Sequence, residues 1–325
     1  MAFKVYISED IPAPGKDYLK ERGYEVAVGE DDRRETIIKG IADADAVLVR
    51  TATFDREMLE GAKRLKVIAK NGVGTDNVDL EACDELGIWA VNGPYSNAVS
   101  VAEHVMGGLL FMVKNYTVVD KFIRDGEFTR RTTIESVEVD GKVLGIVGVG
   151  RIGRLVAQKM HFGLGMKIIG YDPYIDPTGL PDYIELLPSL EELFDRADYV
   201  TVHTPSTSET VGMIGEGLLR RLKRSAVIIN CARGGIVNEQ DLAKVLKERV
   251  IRGAFVDVFR PEPIEPGNPL LDCDNILLTP HYAAISTEAG IRAGIHAAKG
   301  IDEVLKGEVP EWPVNNPQNP RNREI

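Results

Sequence analysis

The stretch Leu144–Asp172, LGIVGVGRIGRLVAQKMHFGLGMKIIGYD, decides how this chain is read. The apolar run Val143 to Val147 predicts a strand buried on both faces. Gly148, Gly150 and Gly153 follow in the spacing G-x-G-x-x-G. Ile152, Leu155, Val156 and Met160 then recur at helical spacing, and a second apolar run, Lys167 to Tyr171, ends at Asp172. Gly148 lets the chain turn sharply off the strand. Gly150 lets a pyrophosphate approach the backbone, and Gly153 lets helix and strand pack closely. The helix N-terminus offers N–H groups and the positive end of its dipole to the phosphates. Asp172 follows Gly153 by 19 residues, the place of an acid that holds a ribose hydroxyl. Three glycines alone describe any tight strand-to-helix turn. With both strands, the helix and the terminal acid, they predict a dinucleotide site.

The motif starts near residue 143, so something else folds before it. Phe3–Ser8, Tyr24–Val28, Ala46–Arg50, Val67–Lys70 and Ile88–Val91 read as short buried strands. Helical stretches lie between them, at Lys16–Arg22, Glu35–Ile41, Glu57–Ala62 and Leu80–Leu86. This alternation predicts a parallel α/β sheet. Ser96–Phe122 reads as one long apolar helix, a crossing element that serves either a subunit interface or the interior of one subunit. After Asp172, strands are expected at Tyr199–His203, Ala226–Asn230, Gly253–Val258 and Ile276–Leu278, with helices at Glu239–Lys247 and Thr287–Leu305. Glu308–Ile325 is polar, carries four prolines and reads as an extended tail. The expected fold class is α/β, with two Rossmann-like or flavodoxin-like parallel-sheet domains. Residues 1–98 and 287–325 form a substrate-binding domain, into which a dinucleotide-binding domain, residues 99–286, is inserted. A small ligand is expected in a cleft between the two.

The 325 residues suffice for two domains. The net charge of −11 argues against nucleic acid or a membrane surface as the main partner. No apolar run is long enough to span a bilayer, and Met1–Asp10 is no signal peptide. Cys83, Cys231 and Cys273 are few, odd in number and without metal-ligand spacing. They suggest a reducing cytoplasm and no metal.

Three polar residues follow strands in the dinucleotide half: Arg233 in NCARGG, Glu262 in FRPEP and His281 in TPH. Singly, each has a plain explanation as a surface arginine, a solvated loop acid and a histidine fixed by Pro280. Together, behind a dinucleotide site, they match hydride transfer to a 2-keto acid. Arginine offers a fork to the carboxylate. Histidine exchanges a proton near neutral pH, and a carboxylate beside it raises its pKa and fixes its ring. His104, His161 and His296 are expected to be helix residues without a catalytic role, and His203 to line the adenine side. Asp172, with no Arg or Lys from Pro173 to Pro177, predicts NAD over NADP because its charge repels a 2′-phosphate. Arg50 and Lys70 end two strands on one sheet edge. They either hold a second anionic group on the ligand or bind carbonyls at strand ends. Arg130 and Arg131 follow the long helix and could reach a partner subunit's cleft.

The motifs GVGRIG, YDP, VTVHTP, NCARGGIVNE, DVFRPEP and TPH, in this order, resemble those of the D-2-hydroxyacid dehydrogenases. NGVGTDNVDLEA and SVAEH fit the same family, and VRTAT, KNGVGTDNVDLEA and NCARGGIV look closest to phosphoglycerate dehydrogenases. The resemblance covers nearly the whole chain. It implies that Arg233 binds the substrate carboxylate, that His281 is the acid/base and that Glu262 is its partner. It implies that Arg151 and Ile152 contact the pyrophosphate and that Asp172 contacts the adenosine ribose. Thr204, Cys231 and Arg233 would line the cofactor, and Asp257 would meet the nicotinamide amide. Val73 and Gly74 would offer backbone N–H groups to the substrate carboxylate, and basic residues at the places of Arg50 and Lys70 would hold a substrate phosphate. A homodimer joined through the nucleotide domain is implied as well. After His281 the chain reads YAAIS where phosphoglycerate dehydrogenases carry a Gly-Ala-Ser-Thr type of run, and a sequence that stops at Ile325 is expected to carry no C-terminal regulatory domain. The related formate dehydrogenases carry glutamine where Glu262 stands, so formate oxidation is disfavoured. The expected activity is NAD-dependent interconversion of a D-2-hydroxy acid and a 2-keto acid, with 3-phosphoglycerate first and glyoxylate or hydroxypyruvate next. A non-catalytic NAD-sensing binding protein with the same trio is the alternative from another class.

Overall fold

An apolar run with no polar interruption gives a strand no face for water, so it settles inside a parallel sheet covered on both sides. The computed structural model describes residues 2–323. It divides into two compact units, Met1–Asn97 with Ile285–Ile325, and Ala98–Ala284.

The first unit holds β1 (Lys4–Ile7), β2 (Glu25–Val28), β3 (Ala46–Val49), β4 (Val67–Lys70) and β5 (Trp89–Val91). All pair in parallel, in the order β2-β1-β3-β4-β5. Alternate residues of β3 feed two cores. Val47 and Val49 join Ile37, Phe54 and Leu59, while Ala46 and Leu48 join Val5, Ile7 and Trp89. The second core is sealed by Ala297, Ala298 and Ile301 of the helix Thr287–Leu305. Ser286 caps that helix by accepting from Ala289 N–H.

The proline-bearing tail is extended, and it is also docked; its last two residues, Glu324 and Ile325, lie outside the described residues. Pro313 forms an antiparallel bridge with Val91. Asn315 Oδ1 accepts from Ala90 N–H at 2.7 Å, and its Nδ2 donates to Ile88 O at 2.9 Å. The tail thus covers the β5 edge, which would otherwise offer unpaired backbone groups.

The second unit holds β6 (Val143–Val147), β7 (Lys167–Tyr171), β8 (Ile184–Leu186), β9 (Tyr199–Val202), β10 (Val227–Asn230), β11 (Gly253–Val256) and β12 (Ile276–Leu278). The order is β12-β11-β10-β9-β6-β7-β8, again with every pair parallel. The short edge strand β8 and the helix Leu190–Arg196 were not anticipated from sequence. The segment before them carries Pro173, Pro177 and Pro181, which masked a three-residue strand.

The expected long helix is two helices, Ala98–Val113 and Tyr116–Arg124. The break falls at Asn115, whose φ of 53° is left-handed, and not at Gly107 or Gly108. Asparagine tolerates that conformation because its short amide can bond locally. Here the amide Nδ2 donates to Glu135 O at 2.7 Å, while Asn115 O accepts from Val118 and Val119 to start the second helix.

Candidate active site

In an open parallel sheet, ligands bind at the carboxyl ends of strands where the strand order reverses. In the second unit that point lies between β6 and β9. Gly148 has φ 92°, and a Cβ there would sit 2.8 Å from the His203 carbonyl. A Cβ on Gly153 would meet Gly148 O at 2.2 Å, whereas one on Gly150 would meet nothing within 4 Å. Two glycines are therefore needed for packing, and the middle one borders open space. The helix Arg151–Leu164 starts at Gly150 with no side chain capping it. The helices Leu190–Arg196 and Glu239–Lys247 of the same unit are capped by Ser189 and Asn238. Asp172 lies at the exit of β7, where its Oδ2 accepts from Val149 N–H at 2.9 Å and its Oδ1 from Tyr174 N–H at 3.1 Å. Each oxygen keeps lone pairs for a further donor. Thr204 Oγ1 is buried with no hydrogen-bond partner. An uncapped helix start, an open glycine, a braced carboxylate and an orphaned hydroxyl fit a dinucleotide. His203, whose Nε2 lies 2.9 Å from Thr201 Oγ1, is pushed down by burial to a pKa of about 3, so it is neutral.

The three expected catalytic residues belong to this same edge. Arg233 follows β10. Asn230, the last residue of β10, donates from Nδ2 to Arg233 O at 3.0 Å and accepts from Ala232 N–H at 3.1 Å. Gly234 has no room for a Cβ, which would meet Phe259 O at 1.9 Å. Arg233 Nη1 donates to Ala232 O at 2.8 Å. His281 follows β12 with φ 51°, a conformation held by its N–H donating to Asp257 O at 2.7 Å. Its Nδ1 lies 2.7 Å from Glu262 Oε2, and Glu262 Oε1 accepts from Phe259 N–H at 2.9 Å. The Glu262 hydrogen bond raises the imidazole pKa above its ordinary value, outweighing burial and the opposing charge of Arg233. Burial pushes the Glu262 carboxyl up, but the bond to His281 leaves it below the ordinary carboxylate range. Both shifts favour the charged forms of the pair.

Asp257, the first residue after β11, is fully buried. Its carboxylate accepts from the Thr279 hydroxyl and from the N–H groups of Tyr282 (2.7 Å) and Ala283 (2.9 Å). His104 Nε2 lies 3.5 Å from Asp257 Oδ1, and the buried Cys231 is close to both. Sequence reading missed Asn230, Thr279 and His104 in this edge. They lie far apart in the chain, and strand pairing together with the packing of the helix Ala98–Val113 on β10, β11 and β12 brings them together.

In the first unit the crevice between β1 and β3 is occupied by the protein's own Glu9. Its carboxylate accepts from the N–H groups of Arg50 (2.9 Å), Thr51 (2.6 Å) and Ala52 (3.1 Å) and from the hydroxyls of Thr51 and Ser8. Lys70 donates to Arg50 O and, at 2.6 Å, to Asn77 Oδ1. The two cations therefore share an edge, with the ammonium of one on the carbonyl of the other. Val73 O accepts from Asn92 Nδ2 at 2.6 Å, and no protein acceptor among the described residues takes the Val73 or Gly74 N–H. Asn71 Oδ1 nearby is buried without a partner.

Residues 106–283 match the model of the D-isomer specific 2-hydroxyacid dehydrogenase NAD binding domain. A D-3-phosphoglycerate dehydrogenase of Methanocaldococcus jannaschii is 40% identical over 322 residues, 98% of this chain and 61% of that protein. The chain spans about three fifths of the length of the curated relatives it matches. A Thermus thermophilus protein superposes with a TM-score of 0.85 at 32% identity, over 96% of this chain and 100% of that one. An NAD-dependent formate dehydrogenase from Staphylococcus aureus, solved with NAD, gives 0.80 at 29% identity, over 94% and 96%.

Proposed function

The chain belongs to the D-isomer specific 2-hydroxyacid dehydrogenase family, and from that premise we propose that it interconverts a D-2-hydroxy acid and a 2-keto acid. The single observation that carries the reading is the 2.7 Å contact of His281 Nδ1 with Glu262, on the same sheet edge as the open Gly150 turn. In the reducing direction Arg233 grips the substrate carboxylate with its fork. Glu262 keeps His281 protonated, and His281 Nε2 gives its proton to the ketone oxygen as the hydroxyl forms. The bound cofactor, when reduced, supplies the hydride. Arg151 and Ile152 face the pyrophosphate, Thr204, Cys231 and Arg233 line the cofactor, and Asp257 meets the nicotinamide amide. Asp257 Oδ2 accepts one protein N–H and retains capacity for the carboxamide.

We assign NAD over NADP. Asp172 can take both ribose hydroxyls, its charge opposes a 2′-phosphate, and residues 173–177 supply no cation. A wild-type preference for NADPH, or an Asp172→Ala variant with an unaltered NAD/NADP ratio, would overturn this. The substrate we favour is 3-phosphoglycerate, supported by the 40% identical relative and by the cation Arg50 directly after β3. Glyoxylate or hydroxypyruvate reduction is the second reading, and the Lys70 ammonium lying on Arg50 O and Asn77 favours it. NADH oxidation with phosphohydroxypyruvate, hydroxypyruvate, glyoxylate and pyruvate decides between them. No turnover of any 2-keto acid would point instead to an NAD-sensing binding role.

We place the protein in the cytoplasm as a homodimer. All three cysteines are free thiols, and no helix among the described residues is long and apolar enough to cross a membrane. Tyr116, Ile123 and Phe128 are exposed and line a concave patch of about 550 Å³ with Phe122 and Arg131. Arg130 and Arg131 lie over the Phe122 and Phe128 rings, each at 4.4 Å. Burying such a patch is what a second copy would do. Sedimentation of an Ile123→Asp variant as a monomer, against a wild-type dimer, is the expected result.

A further inference from the structure

Three residues of the second unit, remote in sequence, present metal-binding atoms to one another. His104 lies on the helix Ala98–Val113, Cys231 follows β10 and Asp257 follows β11. One atom from each, an imidazole nitrogen, a thiol sulfur and a carboxylate oxygen, lies within 4.8 Å of the others. His104 Nε2 and Asp257 Oδ1 are 3.5 Å apart. We propose that these three side chains form a binding site for a thiophilic divalent cation, zinc above all, which excludes the dinucleotide while it is bound.

Tetrahedral zinc with bonds of ~2.0–2.3 Å places its ligand atoms roughly 3.3–3.6 Å apart. The His104–Asp257 separation already has this value, and the sulfur, within 4.8 Å of both atoms, needs to move by roughly 1.2–1.5 Å at most to match it. Sulfur and imidazole nitrogen favour zinc over magnesium or calcium, which take oxygen ligands. The carboxylate is braced as metal-bound carboxylates are, by the Thr279 hydroxyl and the N–H groups of Tyr282 and Ala283. The Phe255 ring packs against the His104 imidazole at 5.0 Å between centroids and fixes its plane. Cys231 and Asp257 are buried, whereas the His104 side chain keeps 19% of its surface exposed, so the ion enters from the histidine side. On binding, the Cys231 thiol gives its proton to solvent and a sulfur–zinc bond replaces the S–H bond, while His104 Nε2, 3.2 Å from the Thr279 hydroxyl that donates to Asp257, gives up its proton as the ring takes the Nδ1–H tautomer and turns its lone pair to the ion. One thiolate and one carboxylate then cancel the two charges of the cation, so the buried complex carries no net charge. Three protein ligands leave a fourth position for water. Exclusion of the dinucleotide rests on the proposed function, in which Cys231 lines the cofactor and Asp257 meets the nicotinamide amide.

The test uses the reduced, cofactor-free chain and cobalt(II) as a spectroscopic probe that zinc displaces. One ion per chain is expected, with a thiolate-to-cobalt charge-transfer band and the visible absorption of four-coordinate cobalt. Cys231→Ser should abolish the charge-transfer band, whereas Cys273→Ser should keep it. Thr279→Val should weaken binding by the ~10–100-fold typical of losing an outer-shell partner, and His104→Gln by at least as much. Metal-free melting curves of each variant report whether it folds. Zinc should raise the apparent Kd for NADH, read by NADH fluorescence rather than turnover, and NADH should weaken zinc binding by the same factor. Absence of the thiolate band, its survival in Cys231→Ser, or independent binding of zinc and NADH would each overturn the proposal. If NADH fails to bind at all, the functional reading falls, and the cobalt spectrum still reports on the ligand set.

Discussion

The two units wind their sheets alike, yet the crevices where their strand orders reverse differ. Between β6 and β9 the loop after the first strand carries Gly150 beside open space, an uncapped helix start and the orphaned Thr204 hydroxyl. Between β1 and β3 the equivalent place holds Glu9, whose carboxylate takes three consecutive N–H groups and two hydroxyls. A run of backbone N–H groups is an anion receptor in both folds. One unit leaves it for a phosphate, and the other fills it from its own chain. Topology therefore creates the site, and a single acidic side chain decides whether a ligand can use it.

The largest effect should come from the receptive edge. His281→Ala should lower kcat by ~10²–10⁴-fold, the usual loss of a general acid–base. Steady-state rates in both directions check this, and a near-normal kcat would remove the imidazole from the chemistry.

The next effect separates the two cations of the self-filled edge. If a substrate phosphate reaches it, Arg50→Ala should raise KM for phosphohydroxypyruvate by about ten- to a hundred-fold and leave hydroxypyruvate nearly unaffected. Lys70→Ala should hurt both substrates alike, because its ammonium ties Arg50 O to Asn77. Equal losses on both substrates in Arg50→Ala would mean that the edge holds no phosphate, and would favour the glyoxylate or hydroxypyruvate reading.

Glu9→Gln tests the filling of the crevice. An uncharged amide cannot replace a carboxylate that receives bonds at both oxygens, so denaturant unfolding should show a loss of roughly 1–3 kcal/mol. Burial pushes the Glu9 carboxyl up, but bonds from Thr51, Ser8 and the loop amides outweigh it and leave its pKa below the ordinary 4.5. Its contribution is therefore present above pH 4.5 and fades as pH falls through the lowered folded value. The variant and wild type should converge in stability in acid. A constant difference down to low pH would show that the charge is not what holds the loop.

The smallest effect is a displacement along the pH axis. His281 is raised by Glu262, so the protonated donor persists to higher pH than an isolated imidazole would allow. Glu262→Gln should lower that pKa, and reduction should fade at lower pH than in wild type. An unshifted profile would sever Glu262 from the mechanism.

Much of the receptive edge was legible in sequence, because its signals are local. The strand Val143–Val147, the three glycines and Asp172 fall within thirty residues, so strand, turn, helix and terminal acid can be read from one stretch. The self-filled crevice was not legible. Glu9 meets Arg50–Ala52 only after β1 and β3 pair, 41 to 43 residues apart in the chain. The same holds for His104 beside Cys231 and Asp257, whose spacing matches no metal motif. The helix break at Asn115 was hidden for a related reason. Its asparagine leaves the helical conformation to reach Glu135 O, twenty residues on, and nothing in the apolar pattern records that partner.

The first unit is assembled from two separated segments, and this sets the order of events during synthesis. Strands β1 to β5 leave the ribosome first, but Ala297, Ala298 and Ile301, which seal one of their faces, follow the whole of Ala98–Ala284. At ~5–20 residues per second, that intervening unit takes on the order of 10–40 s to appear. Through that interval Val5, Ile7, Leu48, Val67 and Trp89 lack the helix that covers them in the finished fold. Until then Ile11 and Leu19, which join the same core, cover part of that face, and the rest of the apolar sheet waits on the last helix.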